Sequence, residues 1–245
     1  MTEEEKVRKL VFWLREKLHA SGCKGFVVGV SGGIDSAVTS TLCALTNENV
    51  IVLNMPIHQA PSQVSRSDEH ISWLKTNFDN VRSDKVDLTS TFETFENVIP
   101  EAASKGNSLA NSRSRLRMMT LYAYANSNDY LVAGTGNKVE DYGIGFFTKY
   151  GDGGVDLSPI ADLLKSEVYD LAKELDIVDS IQKAVPTDGL WGDDRTDEDQ
   201  IGASYEELEW ALEFHDSGKT EDRLSDRQKS VLEIYRHRHF KNKHK

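Results

Sequence analysis

A chain of 245 residues with a formal net charge of −11, from 40 acidic against 29 basic side chains, is long enough to bury a substantial core. It is also too acidic for nucleic acid to be its main partner, since phosphate backbones are bound by clustered Lys and Arg. The two cysteines, Cys23 and Cys43, lack metal-ligand spacing and cannot form a disulfide framework, no apolar stretch reaches membrane-spanning length, and residues 1–9 are dominated by Glu and Lys rather than by a signal pattern. No membrane role and a reducing cytoplasm are therefore expected.

In chain order, Val7, Leu10, Val11, Leu14 and Leu18 recur at helical spacing and predict an amphipathic N-terminal helix. The apolar run 26–30 predicts a buried strand and residues 37–45 a helix, with the glycine-rich stretch 29–36 at the turn between them. Residues 50–55 predict a second strand, followed by a Pro-flanked loop and a helix ending near Phe78, and residues 81–88 a weaker third strand. A long helix is expected over 109–126, a fourth strand over 130–133 running into Gly134-Thr135-Gly136, and a helix over 162–175 with Leu164, Val168, Leu171 and Leu175 on one face. The acidic run 191–200 predicts a mobile loop. Ser204-Tyr205-Glu206-Glu207 and Ser225-Asp226-Arg227-Gln228 each carry the capping-box pattern, the first starting a helix through Phe214 and the second the last helix, before residues 237–245 turn basic. Strands alternating with helices imply an α/β fold: one domain over residues 1–245, a doubly wound parallel sheet with helices on both faces and ligands beyond the carboxyl ends of the strands.

Two motifs end strands at that edge. In Gly29-Val30-Ser31-Gly32-Gly33-Ile34-Asp35-Ser36, Gly32 and Gly33 allow close backbone approach to an anion, while Ser31, Ser36 and the N–H groups of the first helical turn donate to it. Asp35 would repel phosphate unless a divalent cation lies between them, and Mg²⁺ favours one or two carboxylates plus phosphate oxygens. Neither a P-loop, which needs Lys-Ser/Thr after its last glycine, nor a G-x-G-x-x-G fingerprint is present. The second stretch, residues 143–156, mixes glycines with Phe146, Phe147 and Tyr150, a composition poor for helix or strand and costly to leave in water. It reads as a loop folded around a ligand, with Lys149 able to meet a carboxylate or phosphate and Asp156 able to accept from a ribose or amide, or as an aromatic plug at the end of the sheet.

The first motif resembles the SGGxDS loop of the ATP pyrophosphatases, the PP-loop superfamily, whose adenine nucleotide alpha-hydrolase-like members cleave ATP between the α and β phosphates. Residues 145–156, Gly134-Thr135 with Glu140 shortly after, and Asn111-Ser112-Arg113-Ser114-Arg115-Leu116-Arg117-Met118 together resemble ammonia-dependent NAD synthetase along nearly the whole chain. That resemblance implies a ligase that amidates deamido-NAD with ammonia, with ATP as co-substrate, Mg²⁺ as cofactor, a homodimer and no glutaminase domain. Residue by residue, it implies that Gly29, Val30, Ser31, Gly32, Gly33, Ile34, Asp35 and Ser36 hold the ATP phosphates together with Thr135, Lys165 and Thr187. Asp35 and Glu140 become the magnesium carboxylates, Asp35, Ser31, Ser36 and Lys165 the catalytic set, and Arg115, Lys149, Asp156, His244 and Lys245 the deamido-NAD contacts. Ser114, Asp188 and Arg195 depart from the commoner pattern, which has small residues at the first two positions.

Arg115 would otherwise be one of three arginines on a solvated face, and His244 and Lys245 a frayed tail. Lys165, near a helix start where a cation opposes the dipole, leans toward a ligand role even without the resemblance. The acidic run 191–200 is the expected lid over a hydrolysis-prone acyl-adenylate. Rival readings are a tRNA-modifying ligase, disfavoured by the acidic charge, a GMP-forming amidotransferase, and a non-catalytic adenine-nucleotide sensor, which has little need of two metal carboxylates.

Overall fold

The structure, a computed structural model, describes residues 1–187 and 196–245. Four strands, β1 (Gly25–Gly29), β2 (Asn49–Asn54), β3 (Val81–Lys85) and β4 (Leu131–Val132), form a parallel sheet in the order β3-β2-β1-β4. β1 contains nothing polar and lies inside the sheet, whereas β3 reads Val-Arg-Ser-Asp-Lys and takes the edge. Gly25 pairs with Asn49 and Gly29 with Leu53, so β1 and β2 run out at the same level.

Alternation along the strands divides the core into two layers. Val28, Val50 and Val52 pack with Leu14 and Leu18 of α1 (Glu3–Ser21), Val38 and Leu42 of α2 (Ile34–Leu45), and Leu74 of α3 (Pro61–Asn77). Val27, Ile51 and Leu53 face the other way, onto Phe92 of α4 (Thr89–Val98) and Ala125 of α5 (Ser108–Asn128). Each fully buried Leu, Val or Phe contributes about 1.5–3 kcal/mol. α6 (Lys165–Glu174) and the short α7 (Asp179–Gln182) complete the first layer through Val168, Leu171 and Ile181. A third cluster lies around a π-helical turn, Val139–Ile144, with Val139 and Ile144 packed on Leu208 and Leu212 of α9 (Tyr205–Ser217) and on Leu232 and Tyr235 of α10 (Asp226–Asn242).

The helix starts obey local chemistry. The side chains of Thr2, Ser204 and Ser225 each accept from the backbone N–H three residues on, and their own N–H groups donate back to that residue's side chain. Where the structure departs from the sequence expectations, the cause is visible. The segment expected as a strand over 81–88 leaves the regular ladder at Lys85, although Val86 N–H and Leu88 N–H still donate to Asn54 O and Pro56 O. The helix expected from 162 begins at Lys165, because the Glu167 carboxylate takes the Leu164 N–H and sets the start there. Residues 237–242 continue α10, since basic side chains favour a helix C-terminus. The acidic run 191–200 is in part a helix: Thr196 caps α8 (Asp197–Ile201), whose first turn holds Asp197, Glu198 and Asp199 against the positive end of the dipole. Residues 191–195 of that run lie outside the described residues. Among the described residues no helix is long and apolar enough to cross a membrane.

Candidate active site

β1 ends at Gly29 and the chain turns directly into α2, so Ile34, Asp35 and Ser36 form the first helical turn. Gly32 has φ +82°, and a Cβ there would lie 2.6 Å from the Gln63 carbonyl oxygen of α3, so both backbone sign and space demand glycine. Ser36 Oγ donates to Gly33 O at 2.9 Å and accepts from Ser31 N–H at 3.1 Å, while Ser31 Oγ accepts from Gly33 N–H at 3.2 Å. α3 braces the loop from outside through Ser67 Oγ, which donates to Val30 O at 2.8 Å, and Arg66 Nε, which donates to Gly32 O at 3.3 Å. Among the described residues no side chain caps the start of α2, which leaves its first N–H groups able to donate to an anion.

Three other elements converge on Asp35 and Glu140. The segment after β4 places the buried Asn137, whose Nδ2 donates to Asp35 Oδ1 at 3.0 Å and whose Oδ1 accepts from Val139 N–H and Glu140 N–H, both at 3.1 Å. α6 opens with Lys165, 3% exposed, whose Nζ donates to Asp35 Oδ2 at 2.6 Å and to Glu140 Oε1 at 2.9 Å. α9 opens with Tyr205, whose hydroxyl donates to Glu140 Oε1 at 2.6 Å and whose ring centre lies 4.7 Å from Lys165 Nζ. Burial works against the charge on Lys165, but Asp35 and Glu140 outweigh it and raise its pKa, keeping the amine protonated. Burial also acts against ionised Glu140, yet the Lys165 charge and the Tyr205 hydrogen bond hold its pKa below the ordinary glutamate value. Asp35, desolvated and close to a second carboxylate, is displaced upward despite Lys165, as expected when two like charges share one counter-ion.

These groups line a cavity of about 630 Å³. All the residues expected at ATP reach it: the whole of residues 29–36, Thr135, Lys165 and Thr187, together with Glu140. The residues expected at deamido-NAD are divided. Lys245 lines the cavity, with its Nζ donating to Gly145 O at 2.6 Å and Phe147 O at 2.7 Å. Arg115, Lys149 and His244 do not line it but are joined beside it, Arg115 Nε donating to Lys149 O at 3.2 Å and Lys149 Nζ to His244 O at 2.6 Å. Asp156 is also away from the lining, accepting from Val132 N–H at 2.8 Å and the Tyr122 hydroxyl at 3.0 Å, which locks the end of β4. Ser114 donates to Asp152 Oδ1 at 2.6 Å and accepts from Asp152 N–H at 2.8 Å, pinning the glycine-rich loop to α5. Asp188 and Arg195 lie outside the described residues.

Sequence reasoning missed Asn137, Tyr205 and Asp152. Asn137 follows a strand-end glycine, Tyr205 is a buried aromatic inside a capping box, and Asp152 sits among the glycines of the second motif. Asp152 lines the cavity, and desolvation pushes its pKa up against the hydrogen bonds from Ser114 and the Thr148 N–H, which lower it. Among the described residues no group of three or more His, Cys, Asp or Glu could hold a metal by itself. Asp35 and Glu140 converge on one Nζ beside the glycine-rich loop, and two carboxylates next to a turn of free N–H groups fit the chemistry of a cation such as Mg²⁺ that shares its ligands with phosphate.

The geometry suits cleavage of a nucleoside triphosphate, and comparison with known proteins gives the family. The family model described as NAD synthase matches residues 6–245. The NH(3)-dependent NAD(+) synthetase of Carboxydothermus hydrogenoformans is 39% identical over 94% of this chain and 97% of its own length, and that of Methanococcoides burtonii is 37% identical over 88% and 81%. Among solved structures, an NMN synthetase from Francisella tularensis superposes with a TM-score of 0.85 at 33% identity, covering 99% of this chain and 96% of its own. An NH3-dependent NAD synthetase from Campylobacter jejuni in complex with the nitrate ion superposes with a TM-score of 0.80 at 28% identity, with the same coverage. With a family model spanning all but the first five residues and relatives of this identity over most of its length, the chain belongs to the NAD synthase family.

Proposed function

We propose that the chain amidates deamido-NAD to NAD with ammonia, consuming ATP and releasing AMP and pyrophosphate. The observation that carries this is the meeting of the loop 29–36, Lys165, Asp35 and Glu140 on one cavity. The nicotinate carboxylate is a poor acceptor for an amine because its leaving group would be oxide. In the proposed sequence it attacks the α-phosphorus of ATP, pyrophosphate leaves toward residues 31–36, and ammonia displaces AMP from the acyl-adenylate. Charge grows on the departing pyrophosphate, so the N–H groups of α2 and the Lys165 ammonium stabilise the transition state more than the ground state. Asp35 and Glu140 would hold Mg²⁺, which when bound supplies Lewis-acid stabilisation of phosphoryl oxygens. No side-chain nucleophile is needed. Ammonia must react unprotonated, and with Asp35 and Glu140 given to the metal, Asp152 and Asp197 are the cavity carboxylates left to accept a proton from ammonium.

The same reading has residues 1–245 acting as one domain, in a cytoplasmic homodimer. Release of pyrophosphate from ATP and Mg²⁺ should require deamido-NAD, and its steady-state turnover should require ammonium as well, with NAD as product by chromatography and no turnover when glutamine replaces ammonium. Pyrophosphate release independent of any nicotinate compound would sink the proposal. A second reading, amidation of the mononucleotide, is favoured by the likeness to the Francisella tularensis NMN synthetase. It is distinguished by the same assay with nicotinic acid mononucleotide: a higher kcat/KM for that acid than for the dinucleotide selects it.

A further inference from the structure

Tyr205 is buried, 7% exposed, and the reaction as derived so far makes no use of it. It belongs to none of the elements that build the phosphate loop: it is the first residue of α9, 65 positions beyond the glutamate it touches. A buried phenol needs a partner, and this one lies between two carboxylates, with its oxygen 2.6 Å from Glu140 Oε1 and 3.3 Å from Asp197 Oδ2 of α8. A hydroxyl has one proton to give, and the shorter, charge-assisted contact takes it. Glu140 Oε1 thus receives two donors, Tyr205 Oη and Lys165 Nζ, which together fix the position of that oxygen. The ring adds a second constraint, since its face lies 4.7 Å from the same Nζ. The backbone holds the phenol in turn: Ser204 caps α9, and Tyr205 N–H donates to Glu198 at 2.9 Å, anchoring the residue to α8.

From this geometry we infer that Tyr205 is a positioning residue for the magnesium carboxylate: its hydroxyl aims Glu140 at the point where Asp35 and Lys165 Nζ also converge. It is not among the residues lining the cavity and acts through Glu140. The inference rests on the reading of Asp35 and Glu140 as metal ligands. Residues that orient metal ligands typically cost 10- to 100-fold in metal affinity or activity when removed.

The test is calorimetric titration of Mg²⁺ into protein saturated with α,β-methylene ATP, which cannot be cleaved at the reactive bond. The proteins compared are the unaltered chain, Tyr205→Phe, Tyr235→Phe, Glu140→Gln and the double variant Tyr205→Phe/Glu140→Gln. Tyr235 is the matched control, a fully buried tyrosine in the third core cluster whose hydroxyl has no hydrogen-bond partner among the described residues. Tyr205→Phe should weaken Mg²⁺ binding by roughly 10-fold or more, leave binding of the analogue in EDTA unchanged, and add nothing in the Glu140→Gln background, while Tyr235→Phe binds Mg²⁺ normally. Mg²⁺ affinity within threefold of normal in Tyr205→Phe, alongside a loss in Glu140→Gln, overturns the positioning role and spares the metal reading. An equal loss of metal-free nucleotide binding overturns it as well, since that signals a loosened site. Normal Mg²⁺ affinity in Glu140→Gln removes the metal reading itself and the positioning role with it.

Discussion

Acid should loosen the brace behind the phosphate loop, through His70. This residue of α3 is fully buried, with its Nε2 3.1 Å from Ser40 Oγ of α2. Ser40 Oγ already donates to Ala37 O at 3.1 Å, so Nε2 carries the proton of a neutral ring and Ser40 accepts it. Nδ1 has no partner among the described residues, and Trp73 stacks on the ring at 5.5 Å, so a second proton would be buried without an acceptor. Burial accordingly lowers the His70 pKa from 6.5 to about 4. Between those values the unfolded chain binds a proton that the native protein refuses, so this contribution to stability is complete above pH 6.5 and fades as the pH falls toward 4. At about 1.36 kcal/mol per pH unit, the gap amounts to about 3 kcal/mol. Urea unfolding of the unaltered protein and of His70→Gln at pH 7, 6, 5 and 4 isolates this from other acid-sensitive groups. The unaltered protein should lose about 3 kcal/mol more than the variant over that range. Parallel pH profiles would refute the assignment of a buried neutral histidine.

Gly32→Ala places an L side chain at φ +82° and a Cβ 2.6 Å from Gln63 O, so it should lose at least about 1–2 kcal/mol from backbone sign alone, together with ATP binding; normal ATP affinity by fluorescence titration would contradict this. Lys165→Met leaves Asp35 and Glu140 without their counter-ion, and breaking a buried pair from one side costs about 3–5 kcal/mol. Calorimetry should therefore find a lowered Tm in EDTA that millimolar Mg²⁺ partly restores, and an unchanged Tm would show that the carboxylates do not depend on the lysine. Lys245→Ala removes the bonds to Gly145 O and Phe147 O and should raise KM for the acid substrate severalfold with KM for ATP unchanged, by initial rates; the opposite split would move Lys245 to the nucleotide side.

β1 and the loop after it were legible because their signals are local: an apolar run, two adjacent glycines and a helix start fall within a dozen residues. The capping boxes at Ser204 and Ser225 were legible for the same reason. α4 was not, because Thr89-Ser90-Thr91 reads as a loop and Phe92 is its one buried side chain. Glu140 came from family resemblance, since it shows locally as an ordinary charged residue, whereas Lys165 was also marked by its place at a helix start, where a cation opposes the dipole. Of the expected dinucleotide contacts, Arg115, Lys149 and His244 are joined beside the cavity, while Asp156 is spent on the backbone of β4, a use that its place after a glycine-rich loop does not betray.

From sequence alone follow the four strands and most of the helices in chain order, the glycine turn between β1 and α2, and the family, because hydrophobic period, turn chemistry and motif spacing act over a few residues. Tertiary structure alone decided the charge balance of the site. Lys165 lies 130 positions from Asp35, Asn137 102 positions from it, and Tyr205 65 positions from Glu140. Whether a carboxylate holds a proton, a lysine or a metal depends on how much water is excluded around it and which donors reach it, and only packing of distant segments sets both.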